Sequence, residues 1–69
     1  MGLRKLKNDI GKKIRILRLE KGLSQEKLAE YTNMSREHIS CLERGQNLAS
    51  IETLYALAKF FEISIKDFF

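Results

Sequence analysis

The 69-residue chain has no proline and a single cysteine, Cys41. Without proline, and without any glycine/serine-rich or low-complexity run, nothing reads as a linker, so residues 1–69 are expected to form one domain. A lone cysteine excludes a disulfide within the chain and fits a reducing, cytoplasmic setting. No apolar run approaches the ~20 residues of a membrane-spanning helix. No apolar segment of roughly 7–15 residues follows the basic N-terminus, as a secretory signal would require. The Met1-Gly2 start is followed at position 6 by Leu6 rather than Ser or Thr, so the myristoylation pattern fails. Chemistry-bearing residues are equally scarce. A structural zinc takes about four ligands, and the chain offers one histidine, His38, and one cysteine. Below roughly 80 residues a fold must then rest on efficient helix packing or on a partner subunit.

What is abundant is positive charge, and it is unevenly placed. Residues 1–21 carry eight basic groups against Asp9 and Glu20, a net +6. The rest of the chain carries five basic and seven acidic groups, a net −2. Lopsided basic charge points to nucleic acid or another anionic surface, although small domains are also basic for solubility alone.

A recurring unit follows: a capping residue, then apolar residues at helical spacing. Asn8 is positioned to cap a helix with Ile10, Ile14 and Leu17 inward, ending at Gly22. Ser24 opens a second helix with Leu28 and Ala29. Ser35 opens a third with Ile39 and Leu42, and Gly45 stops it. Ser50 opens a fourth with Ile51, Leu54, Leu57, Ala58 and Phe61. Ser64 and Asp67 have capping-box spacing for a last short helix. The expectation is an all-α domain of five helices. The second and third are only about eight residues each, too short to persist without packing, and little more than Thr32-Asn33-Met34 joins them. The small Ala29 lets the third helix cross the second closely. That is the sequence logic of a helix-turn-helix.

The segments "IRILRLEKGLSQEKLAEYTNMSREHISCLERG" and "SIETLYALAKFFEISIKDFF" resemble the phage-repressor/Cro-like (Xre-type) family of helix-turn-helix DNA-binding domains, from about Ile10 to Phe69. Within it, the chain looks like the controller proteins of restriction–modification systems and the stand-alone repressors of phage or mobile elements. The resemblance implies a lambda-repressor-like five-helix fold, with helices two and three as the helix-turn-helix. It implies a homodimeric transcriptional regulator on a palindromic double-stranded operator, in the cytoplasm at the nucleoid. Four positions depart from the family: Asn33 and Glu62 where glycine is usual, Ala49 where proline is common, and Asn47-Leu48 in place of basic residues.

Residue roles follow from the same likeness. The N-terminal half of the third helix enters the major groove in the family, where base edges present distinct donors and acceptors. Arg36 would donate to guanine, Glu37 accept from cytosine, Ser40 meet several bases, and Cys41 lie against a thymine methyl. Ser24, Gln25, Ser35, Arg44 and Asn47 are implied phosphate contacts. Residues 1–7, with Arg4, Lys5 and Lys7, are either a flexible basic arm along DNA or a soluble terminus. Arg18 and Glu43 would form a structural ion pair between helices one and three. Without the family, the outward face of the third helix reads simply as a solvated polar surface, and an Arg36–Glu37 pair would blunt both readers.

The same stretch invites a catalytic or metal reading that it does not sustain. His38 and Cys41 lie three residues apart, yet nothing supplies further ligands, an oxyanion hole or an orienting group. No enzyme, cofactor or metal is expected. Oxidation of Cys41 on the reading face would be a way to block binding. In "FFEISIKDFF", Phe61, Ile63 and Phe68 are assigned to the core. Phe60, Ile65 and Phe69 remain as the apolar surface of a dimer. The alternative function is an antitoxin-like module that grips a protein partner and binds DNA secondarily. No effector domain is expected after Phe69, so control is expected from concentration, dimerisation or such a partner.

Overall fold

The first helix starts earlier than its polar signal suggests. In the computed structural model, which describes residues 2–69, α1 spans Leu3–Glu20, with Gly2 as an N-cap that makes no side-chain bond. Asn8 is therefore inside the helix and does not cap it. Residues 3–7 form helical turns continuous with the rest of α1; Met1 lies outside the described residues. The physical reason is local. Leu, Arg and Lys are good helix formers, and Leu6 extends the Ile10–Ile14 stripe one turn back to pack against the core.

The next three starts lie at serines. Ser24 Oγ accepts from the Lys27 amide at 3.0 Å and opens α2, Gln25–Thr32. Ser35 Oγ accepts from the His38 amide at 3.0 Å and opens α3, Arg36–Glu43. Ser50 Oγ accepts from the Thr53 amide at 3.1 Å and opens α4, Ile51–Phe61. Each cap satisfies one of the amides that a helix N-terminus leaves free. The expected fifth helix is instead one 3-10 turn, Ile65–Phe68, where the Ser64 amide donates to Asp67 Oδ2 at 3.2 Å. Four residues cannot close a second i→i−4 turn, so the described residues form four α-helices and one 3-10 turn, with no strand.

Both non-glycine departures at helix ends sit in the left-handed region. Asn33 ends α2 at φ 58°, ψ 41°, and the Met34 amide returns to the Ala29 carbonyl at 2.8 Å. Glu62 ends α4 at φ 59°, ψ 45°, and the Ile63 amide returns to the Ala58 carbonyl at 3.0 Å. Asparagine tolerates that region; a glutamate there is strained.

The core joins all four helices. Ile14, Leu28, Ile39, Leu42, Leu54 and Leu57 are fully enclosed, and Phe61 and Phe68 close its end. Each such side chain contributes about 1.5–3 kcal/mol of burial. Ile51 departs from expectation. As the first residue of α4 it lies off the Leu54–Leu57–Phe61 stripe and is 67% exposed. α3 lies between α1 and α2, while α4 packs on α2 and on the C-terminal turn. The crossing of α1 and α3 depends on Gly11, where a Cβ would collide with the Leu42 carbonyl. One turn earlier, Asn8 packs against Gly45, which holds φ 72° just past α3.

Candidate nucleic-acid interface

α3 is anchored from beneath and braced from behind. Ile39 and Leu42 are buried, which turns the opposite side of the helix outward. At about 100° per residue, that side carries Glu37, Ser40 and Arg44, flanked by Arg36 and Cys41. Arg36, Glu37 and Arg44 are exposed; Ser40 and Cys41 are half-buried. Among the described residues no ion pair joins Arg36 to Glu37, so both charged heads are available to a ligand.

Arg44 is held on this face. Its Nε donates to the Ser40 carbonyl at 3.4 Å, and Nη2 approaches Cys41 Sγ at 3.8 Å. The guanidinium thus lies across the C-terminal half of the outward face. The chain then leaves α3 through Gly45, with the Gln46 amide closing onto the Cys41 carbonyl at 3.0 Å. Asn47 and Leu48 follow as exposed residues on the bend toward α4.

Behind the face stands a side-chain network. Arg18 Nε donates to Glu43 Oε2 at 2.7 Å and Nη2 to Oε1 at 3.0 Å, a two-pronged pair between α1 and α3. The side chains are 10% and 4% exposed. Arg18 Nη1 also donates to the Leu23 carbonyl at 2.7 Å, fixing the loop before α2. Gln25 Nε2 donates to Glu43 Oε1 at 3.1 Å, which brings the start of α2 beside the end of α3. Sequence spacing gave no sign of this last contact, because Gln25 and Glu43 are 18 residues apart on different helices.

The remaining site residues are dispersed. Ser24 and Ser35 spend their hydroxyls on caps, at the exposed N-terminal ends of α2 and α3. Their free first-turn amides are the groups an anion would meet there. His38 is half-buried. Among the described residues no three His, Cys, Asp or Glu side chains gather as a metal site would, and no helix is long and apolar enough to cross a membrane.

A second surface lies around α4 and the C-terminal turn. Phe69 is 67% exposed and Ile65 half-buried, whereas Phe60 is partly occupied by its own chain. It stacks on Tyr31 at 5.6 Å between ring centroids, with Lys21 Nζ 5.7 Å from its own. Sequence reading grouped Ile51 with the inward face and passed over Tyr55; the two are four residues apart on one stripe of α4 and are both exposed. That i, i+4 spacing, out of phase with Leu54, Leu57 and Phe61, was the available signal. Tyr55 also lines a groove of about 380 Å³ with Ala58, Lys59, Ile63, Ser64 and Ile65.

Known proteins share this arrangement. Residues 14–68 match the helix-turn-helix family profile. The competence pilus inhibition repressor of Acinetobacter baylyi is 39% identical over 61 residues, covering 88% of this chain and 56% of its own. The chain thus spans little more than half of that relative. The restriction–modification controller protein C.AhdI of Aeromonas hydrophila superposes with a TM-score of 0.85 at 35% identity, over 91% of this chain and 96% of that one. The controller protein C.Esp1396I, solved as a tetramer on its natural 35 base-pair operator, gives a TM-score of 0.80 at 36% identity, over 91% and 83% of the two chains.

Proposed function

The chain belongs to the helix-turn-helix family of transcriptional regulators, and from that premise we propose that it binds a palindromic double-stranded DNA operator sequence-specifically, as a homodimer. The observation that carries this reading is the outward face of α3. It presents Arg36 and Glu37 exposed and not paired with each other, and Arg44 exposed and laid along the face, on a helix pinned by Ile39 and Leu42. A helix of that size and polarity fits the major groove, where Arg36 and Glu37 have complementary base edges, and Ser40 and Cys41 supply smaller contacts. Ser24, Gln25, Ser35, Arg44 and Asn47 frame it as contacts to the backbone. Those contacts carry little sequence information but fix register.

One reading helix covers few base pairs, so specific affinity asks for two half-sites about 10 bp apart. The dimer surface proposed is the apolar strip of α4 and the C-terminal turn. Ile65 and Phe69 belong to it, with Ile51 and Tyr55 now added. Phe60 contributes from the edge, since its ring already packs on Tyr31. The controller protein's tetramer on its operator is the kind of assembly this suggests.

Selection of bound duplexes from a random pool, at stated salt, tests the reading. A two-fold symmetric consensus is the expected result. Recovery of no consensus would overturn it and favour the protein-gripping, antitoxin-like alternative.

A further inference from the structure

The network behind α3 has a member that a simple brace does not need. Glu43 Oε1 receives two donors, Arg18 Nη2 at 3.0 Å and Gln25 Nε2 at 3.1 Å. A carboxylate clamped by a guanidinium offers only lone pairs, so a glutamine facing it must turn its NH2 inward. Rotating the amide by 180° would set its carbonyl oxygen against the carboxylate. The orientation of this side chain is therefore dictated by Glu43. Nε2 carries a second N–H, and among the described residues the Gln25 side chain makes no other hydrogen bond. Gln25 is the first residue of α2 and is half-buried, with its side chain bonded to the end of α3. A phosphate oxygen accepts only, so it requires the amide in this orientation and is repelled by the other.

We propose that Glu43 is a positioning residue for DNA binding: through Gln25 it holds an amide N–H outward, poised for a backbone phosphate. This rests on the DNA-binding reading above, and it assigns the buried carboxylate a part in ligand recognition besides joining α1 to α3. The two N–H bonds of Gln25 then divide their labour. One stays on Glu43 with or without DNA, and the other is the one that senses the phosphate.

The test is side-chain amide NMR on the 15N-labelled, unmodified chain, titrated with short mixed-sequence duplex DNA at low salt. Backbone contacts do not depend on sequence, so no operator is needed. The Nε2 proton bonded to Glu43 is expected to keep its shift while its geminal partner moves. If neither moves while the backbone amides of α3 respond, or if the Glu43-bonded proton moves, the inference fails and the DNA-binding reading stands. If no signal in the chain responds to duplex, the reading itself fails and takes this inference with it. Gln25→Met keeps the volume and removes the donor. It should weaken duplex binding roughly tenfold, as expected for one hydrogen bond to a charged group, with the melting temperature little changed. Unchanged affinity in that variant would also overturn the assignment.

Discussion

Gly11 lies so close to Leu42 that a Cβ would overlap the Leu42 carbonyl and stand 2.8 Å from that of Glu43. The two helices meet backbone to backbone, which is what brings Arg18, two turns further along α1, onto Glu43. Gly11→Ala gains about 1 kcal/mol of helix propensity, yet it should destabilise the fold by about 1–3 kcal/mol net through overpacking. Thermal unfolding followed by circular dichroism measures this, and a raised melting temperature would show that α1 and α3 separate freely.

Glu43→Ala leaves the Arg18 guanidinium buried without its counter-ion. The expected loss is about 3–5 kcal/mol. Arg18→Met with Glu43→Leu removes both charges and should recover much of that stability. Urea denaturation of Arg18→Met, Glu43→Leu and the double variant closes the cycle. A double variant as unstable as the sum of the singles would mean that the charges do not depend on each other.

Glu62 ends α4 in the left-handed region without the tolerance of glycine or asparagine. Glu62→Gly should stabilise the chain by about 0.5–1 kcal/mol, strain relief outweighing the added freedom of the unfolded chain. Asn33→Gly, at φ 58°, should change stability much less. Equal effects at the two positions would contradict the assignment of strain to Glu62.

Arg36 and the phosphate contacts should fail differently. Arg36→Ala is expected to relax preference at one base pair of each half-site, a loss of about 1–3 kcal/mol in discrimination. Arg44→Ala, if its contact is to phosphate, should weaken all sequences alike and flatten the salt dependence by about one counter-ion. Binding to the selected duplex and to single-base variants, each over a range of salt, separates the two.

Tyr55→Glu and Phe69→Glu place charge in the proposed dimer surface, where both residues are exposed and free of the core. Each should shift sedimentation toward a monomer while helical content stays constant. A chain that remains dimeric in both variants would place the two-fold axis elsewhere.

The helices were legible where a local signal decided them. Ser24, Ser35 and Ser50 mark their starts because a cap is a contact over three residues. Asn8 misled because the same residue type serves inside a helix, here against Gly45 across the fold. The last helix was overcounted because capping-box spacing shows a start but not a length. At the site, the period of α3 placed Arg36, Glu37 and Arg44 outward once Ile39 and Leu42 were taken as inward. The Arg18–Glu43 pairing came only from family likeness, and the Gln25–Glu43 and Gly11–Leu42 contacts came from neither source. They depend on how three helices cross, which single-helix periodicity does not encode.

α3 is fastened at both ends: by the left-handed turn at Asn33, and by Glu43 and Gly11 at its other end. Little is left for it to tilt or slide, so a pair of such domains would act as a ruler of fixed length. Adaptation then falls to the duplex. On the proposed two-fold operator, base steps between the half-sites would be chosen for how cheaply they bend or narrow a groove. One added base pair there would carry the second site about 3.4 Å away and rotate it out of reach.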